Sequence, residues 1–271
     1  MLQNFPVCYP DVEEQIHIAS FLDRKTADID EAIAHKQRLI ELLQEQKAIL
    51  INQAVTKGLN PDAPMRDSGV EWIGGIPEHW KVRRAKFLFK EVDERSQTGN
   101  EELLSVSHMT GVTPRAEKNV SMFMAEDYTG SKLCQRDDLV INIMWAWMGA
   151  LGVSNQTGIV SPSYGVFRQI KSKTFNSWYL ENLLRSTEYV AQYNRISTGL
   201  HSSRLRLYAH MFLDLGILLP PKEEQDKITE MTLERTREID KAIISIQSEI
   251  ITLGELRSIL ISKSVTGKIK V

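Results

Sequence analysis

The chain has little cysteine, no long apolar run and almost no net charge, and each shortage excludes something. Two cysteines, Cys8 and Cys134, cannot build a disulfide framework or fill a four-ligand zinc site between them. No stretch of about 18 apolar residues occurs, and no basic-then-apolar leader precedes a small-residue cleavage site. The expectation is therefore a soluble, cytoplasmic protein with no membrane partner. Lysine and arginine number 33 against 35 aspartates and glutamates, a formal net charge of −2. That balance argues against a uniformly basic nucleic-acid coat protein but leaves room for a local basic face.

Catalytic signatures are missing as well. There is no Asn/Asp-Pro-Pro-aromatic tetrapeptide of the amino-methyltransferases and no Gly-rich strand-to-helix turn for a nucleotide. Thr266-Gly267-Lys268 lacks the spacing of a phosphate-binding loop, and the six histidines form neither an HExxH motif nor a Cys/His cluster. Acidic pairs such as Glu223-Glu224 and Asp137-Asp138 read as a helix start and a turn. The chain reads as a non-enzyme that needs no cofactor and no metal of its own.

What is present is an internal repeat. Residues 10–56 align without a gap to 220–266, and 19 of the 47 pairs are identical. Each copy predicts one long helix. In the first, Ile29, Ile33, Lys36, Ile40, Leu43, Lys47, Leu50 and Ala54 follow 4-3 steps; in the second, Ile239, Ile243, Ile246, Ile250, Leu253, Arg257, Leu260 and Ser264 do the same. Asp11 followed by Glu14 is an N-terminal capping signal, and Pro221 suits a first helical turn. Gly58 and Gly267 fall where left-handed C-terminal caps are common. A helix about 65–70 Å long with one apolar stripe needs a partner, and the other copy is the obvious one. Because the intervening segment must connect the end of one helix to the start of the next, the pair is expected to be antiparallel. Ile29, Ile33, Ile40, Leu43 and Leu50 should meet Ile239, Ile243, Ile246, Ile250, Leu253 and Leu260.

Residues 57–80 are punctuated by glycine and proline as a linker is. Strands are predicted at 103–107, 138–144, 165–170 and 212–219, with a helix over 176–193. On that strand Trp145 and Trp147 would share a face and pack into the core. The fold class is thus α+β: one mixed α/β domain plus two long helices pairing as an antiparallel coiled coil.

Charge is distributed unevenly. Residues 164–219 hold 7 basic and 3 acidic residues, and from Tyr189 to Leu213 there is no acid at all. Arg195, Arg204 and Arg206 lie there among Ser197, Thr198, His201, Ser202 and Ser203. Arginine and small hydroxyl residues on a loop suit phosphate positioning and base-edge reading, although a solvated polar loop has the same composition. A second basic run, Lys81, Arg83, Arg84, Lys86 and Lys90, is interleaved with Val82, Phe87 and Phe89 and reads first as an amphipathic element whose apolar side packs in the core.

The helix openings Pro10-Asp11-Val12-Glu13-Glu14-Gln15 and Pro220-Pro221-Lys222-Glu223-Glu224-Gln225 resemble the conserved helices of type I restriction-modification specificity (S) subunits. So do the endings Gln53-Ala54-Val55-Thr56 and Lys263-Ser264-Val265-Thr266-Gly267-Lys268. Residues 56–80, and the segments DDLVINIMWAWMGALGVS (137–154), GIVSPSYGVF (158–167) and STGLHSSRLRL (197–207), are similar to that family's target-recognition domains. The resemblance implies a remnant of a preceding recognition domain at 1–9, a first conserved spacer helix at 10–57, a target-recognition domain at 58–219 and a second spacer helix at 220–271.

It further implies a non-catalytic reader of double-stranded DNA that specifies half of a bipartite site. Modification subunits, which methylate adenine, would dock along its helices, and restriction subunits would join them. Residues expected at the DNA are Arg115, Asn142, Tyr164, Arg195, Ser197, Thr198, His201, Ser202, Ser203, Arg204 and Arg206. The alternative is an interaction module that sequesters modification subunits through its coiled coil. Oligomeric state stays open, since a homodimer would restore two recognition domains.

Overall fold

The computed structural model describes residues 9–117, 127–199, 201 and 204–269. In chain order the elements are α1 (Val12–Lys57), β1 (Met65–Asp67), β2 (Gly75–Pro77), β3 (Lys81–Arg84), β4 (Phe89–Glu91), β5 (Leu104–Ser107), β6 (Gly111–Pro114) and β7 (Lys132–Cys134). There follow β8 (Leu139–Ile141), β9 (Leu151–Val153), β10 (Gly158–Val160), β11 (Gly165–Gln169), α2 (Ser177–Leu184), α3 (Thr187–Ile196), α4 (Ala209–Leu213), β12 (Gly216–Leu219) and α5 (Lys222–Val265). The chain divides into two compact units, Met1–Ala48 with Glu234–Val271, and Ile49–Leu233. Among the described residues no helix is long and apolar enough to cross a membrane.

The long helices start and stop where the sequence signals stand. The Asp11 carboxylate accepts the Glu14 amide at 2.9 Å, and the first turn carries Glu13 and Glu14 against the positive end of the helix dipole. Gly58 and Gly267 take φ of 82° and 66°, the left-handed caps expected of them. The duplication extends to individual hydrogen bonds. Gln15 Nε2 donates to Pro10 O at 2.8 Å and Gln225 Nε2 to Pro220 O at 3.0 Å. Likewise Thr56 Oγ1 donates to Asn52 O and Thr266 Oγ1 to Ser262 O, both at 2.7 Å.

In the first unit the two helices run antiparallel, and three ion pairs define their register. Arg257 Nε lies 3.1 Å from Asp30, Lys36 pairs with Glu249, and Lys47 Nζ lies 2.6 Å from Asp240. A 17-residue advance from Asp30 to Lys47 matches a 17-residue retreat from Arg257 to Asp240, as antiparallel strands of a coiled coil require. Lys36, Lys47 and Arg257 sit on the 4-3 seam itself and reach sideways to flanking carboxylates. Exposed pairs of this kind contribute about 0–1 kcal/mol each, so they fix orientation more than stability. Burial follows the seam. Ile29, Ile33, Ile40 and Leu43 of α1 are half-buried between exposed neighbours, as are Ile239, Ile250, Leu253 and Leu260 of α5, while Ile243 and Ile246 are buried. Leu50, also half-buried, belongs to the second unit.

The second unit is built on one four-stranded antiparallel sheet in the order β4-β11-β8-β9, with two-stranded ribbons β1-β2, β3-β12, β5-β6 and β7-β10. Alternation along β8 and β11 sends side chains to opposite faces. Leu139, Ile141 and Phe167 join an aromatic-rich cluster with Trp80, Phe89, Tyr179, Tyr189 and Phe212, whereas Val140 and Val166 join a smaller valine-rich cluster with Val106, Cys134 and Val160. A strand covered on both faces loses the polar–apolar alternation of a half-exposed one, hence the unbroken apolar run at 139–141. The buried tyrosines each find a backbone partner: Tyr179 donates to Val55 O at 3.0 Å and Tyr193 to Leu184 O at 2.9 Å. Burial pushes both phenols well above their ordinary range.

Three local expectations change. Residues 176–193 form two helices, because the α2 geometry stops at Arg185 and Ser186 restarts the chain as the N-cap of α3. The strand expected over 138–144 ends at Ile141, so Trp145 and Trp147 do not share a strand face. Residues 57–80 are a linker only in composition, since they supply β1, β2 and the buried Ile73, Ile76 and Trp80.

Candidate nucleic-acid interface

The acid-free segment folds back on itself in the second unit. Thr198 and Arg206 form an antiparallel bridge through Thr198 N–H to Arg206 O (3.1 Å) and Arg206 N–H to Thr198 O (2.9 Å). Arg204 N–H donates to His201 O at 2.8 Å within the loop so closed. His201, Arg204 and Thr198 are exposed and Arg206 is half-buried, while Arg195 is exposed on the last turn of α3. Ser197 caps that helix with a buried hydroxyl that has no hydrogen-bond partner among the described residues. Ser202 and Ser203 lie outside the described residues.

A second segment meets this loop. Leu207 N–H donates to Ile143 O at 3.0 Å, joining the loop to the turn that follows β8. That turn closes through Trp145 N–H to Asn142 O (3.0 Å) and a 3-10 segment, Ala146–Met148, which packs against α3. Gly149, at φ 82°, ends it in the left-handed region. Asn142 is 5% exposed and staples the site from inside. Its Nδ2 donates to Tyr164 Oη at 3.0 Å, and its Oδ1 accepts from Met144 N–H at 3.2 Å. Burial pushes the Tyr164 phenol above its ordinary value, and the charge of Arg115 opposes that rise. Arg115, half-buried at the start of a 3-10 turn, thus influences Tyr164 but belongs to neither loop.

Beside the turn after β8 runs an open groove of about 530 Å³, lined in part by Tyr164, Ser163, Tyr208, His210, Lys132 and Glu91. The rings of Tyr208 and His210 stack with centroids 6.1 Å apart and planes 7° from parallel. Lys132 is nearly buried, with Nζ 3.8 Å from Glu91 and 3.6 Å from Asp93, so it offsets both carboxylates. Trp145, 47% exposed, stacks on Trp147 at 5.9 Å beside the same turn. Arginines and hydroxyls facing outward beside aromatic faces can position phosphates, reach base edges and stack. Tyr208, His210 and Lys132 were not singled out from the sequence, and Trp145, expected in the core, is exposed instead. Tyr208 and His210 did carry a signal, since both fall in the acid-free stretch. Among the described residues no group of three or more His, Cys, Asp or Glu side chains is placed to hold a metal ion.

Long paired helices together with a mixed α/β unit define the class to which the fold belongs. The fold is that of the S (HsdS) subunits of type I restriction-modification systems. A chain from a structure of type I R-M complex assembly and conformational transition superposes with a TM-score of 0.65 at 16% identity, over 94% of this chain and 60% of its own length. The HsdS subunit from Thermoanaerobacter tengcongensis superposes with a TM-score of 0.55 at 14% identity, over 98% of this chain and 64% of its own. No protein-family model matches the chain. The chain therefore spans somewhat under two thirds of the length of these neighbours, and at these identities the likeness is one of fold.

Proposed function

We propose that the chain is a non-catalytic specificity subunit of the type I restriction-modification class. Its second unit reads one half of a bipartite site in double-stranded DNA, and its helix pair is a platform for modification and restriction subunits. The observation that carries the DNA reading is the convergence of the bridged loop at Thr198–Arg206, the turn after β8 and the Tyr164–Tyr208–His210 groove. Exposed Arg195 and Arg204 and half-buried Arg206 hold backbone phosphates and guanine edges, with Thr198 and His201 beside them. Asn142 and Arg115 act through Tyr164. In a cell such a subunit works in the cytoplasm, in complex with its enzymatic partners.

The platform reading rests on apolar side chains that the helix pair leaves uncovered. Ile244 and Ile251 of α5 are 65% and 64% exposed, and Leu39, Leu42, Leu256 and Ile259 are each close to half exposed. Apolar residues outside the seam of a two-helix rod suit a helical partner that completes a larger bundle.

Titration of duplex DNA with Arg204→Ala and Arg206→Ala variants tests the reading. The expected result is weaker binding with an unchanged melting curve. Binding equal to that of the unmodified chain at several salt concentrations would refute the assignment of the loop. A chain that captures modification subunits but binds no DNA would be a sequestering module instead.

A further inference from the structure

The second basic run is amphipathic: Ala85, Leu88 and Phe89 are buried in the core, and its cations stay in solvent. Val82 turns onto the aromatic cluster, but Lys81, Arg83, Arg84 and Lys86 are all exposed, and Phe87 is 62% exposed. Arg66, Lys81, Val82, Arg83, Arg84 and Phe87 line an open groove of about 440 Å³ along β3. From Trp80 to Lys90 the sequence has five cations and no acid. Among the described residues, Lys81 and Arg83 take part in no ion pair or side-chain hydrogen bond. Arg66 is held in place by carbonyls rather than carboxylates: Nε by Glu78 O at 3.0 Å, and the two terminal nitrogens by Asp67 O and Trp80 O at 2.9 and 2.6 Å. Its direction is fixed, and among the described residues it has no ion pair.

Asp214 links β3 to α4. β3 pairs with β12 in the register Arg84↔Gly216, just after Asp214. Asp214 lies 3.9 Å from Arg84 and 3.6 Å from Lys86, and its amide donates to His210 O at 3.2 Å, one helical turn back. His210 lines the recognition groove, one helical turn, a rise of about 5 Å, from Asp214. Asp214 is the one acid between Tyr189 and Leu219 and holds both sides together.

We propose that Lys81, Arg83 and Arg66 form a phosphate track that carries the DNA backbone away from the recognition loop and supplies affinity without sequence preference. This rests on the DNA-reading proposal above and adds a surface to it. Alternation along β3 puts Lys81 and Arg83 on one face, spaced by about 6.8 Å, twice the axial rise per phosphate of one duplex strand. A row of unpaired cations at that spacing suits a polyanion of regular repeat better than an acidic protein surface, whose carboxylates follow side-chain geometry. Lys86, 5.6 Å above the Phe87 ring, edges the row.

The test is a set of duplex titrations between about 50 and 200 mM salt, using the full chain, Lys81→Ala/Arg83→Ala, the charge-conserving Lys81→Arg/Arg83→Lys, and Arg204→Ala/Arg206→Ala. The track predicts that the double alanine variant loses affinity for every duplex by a similar factor, roughly tenfold, and that the slope of log K against log salt falls by about 2. The charge-conserving variant keeps both, whereas the loop variant loses discrimination between sequences. Unchanged affinity and slope in the alanine variant overturns the track and leaves the recognition reading standing. Unchanged DNA binding with lost capture of modification subunits also overturns it and assigns the groove to a protein partner. If the unmodified chain binds no duplex, both the reading and the track fall.

Discussion

Gln15 and Gln225 occupy equivalent places in the duplicated helix, yet substitution of the two should differ by several kcal/mol. Both donate Nε2 to a proline carbonyl five residues back. Gln15 is exposed and its side chain does nothing further among the described residues. Gln225 is 0% exposed. Its Nε2 also donates to Thr174 O at 3.2 Å, and its Oε1 accepts the Asn176 amide at 2.9 Å. Asn176 in turn caps α2 by accepting the Tyr179 amide at 3.1 Å, so Gln225 fixes the residue that starts that helix. Gln225→Ala strands one backbone donor and two acceptors away from water. Each buried unsatisfied group costs about 1–3 kcal/mol; with partial relaxation the expected loss is about 3–5 kcal/mol. Gln15→Ala removes one bond that water replaces, and should cost less than about 0.5 kcal/mol. Urea unfolding followed by far-UV circular dichroism and by fluorescence measures both. All five tryptophans lie between residues 72 and 178, so fluorescence reports on the second unit. Equal losses in the two variants, or a loss below about 1 kcal/mol for Gln225→Ala, would refute the reasoning.

Three further outcomes follow from the same coordinates. Asp138, 1% exposed, binds Arg168 through both oxygens at 2.9 Å and accepts the Gln135 amide at 2.8 Å; Asp138→Asn should lower stability by about 2–4 kcal/mol in the same urea titration, because Glu94 alone then faces the guanidinium. A Cβ on Gly254 would meet nothing within 4 Å, so Gly254→Ala should stabilise α5 by about 0.5–1 kcal/mol; a lower melting temperature would contradict this. Ile40→Asp combined with Ile250→Asp should unpair the helices and abolish capture of modification subunits. A pull-down and melting curve matching the unmodified chain would sink the platform reading.

The long helices were legible because their signals are local and repeated: caps at Asp11 and Gly58, a 4-3 seam, and a second copy of both. The strand core at 139–141 was legible for its unbroken apolar run. The turn after it was not, because Met144, Trp145 and Trp147 continue that apolar pattern while the backbone bonds Trp145 to Asn142 and leaves the sheet. Residues of the loop were found by what the stretch lacks, acidic side chains. Lys132 was missed because it reaches the groove from a segment distant in sequence, through β7. Nor could the sequence tell that Asn142 faces inward to Tyr164, since an asparagine that reads a base and one that staples a turn are the same letter. The basic run at 81–90 was ambiguous for the opposite reason: Val82 and Phe89 are packed as a core element requires, and the cations between them remain in solvent.

The claim that this fold reads DNA sequence is tested most directly by selection from a randomised duplex library with the purified chain, alone and with a modification subunit. The account predicts enrichment of one short motif of a few base pairs, lost in the Arg204→Ala/Arg206→Ala variant while weak non-specific binding persists. A library that stays random in both conditions, with modification-subunit binding intact, would contradict it.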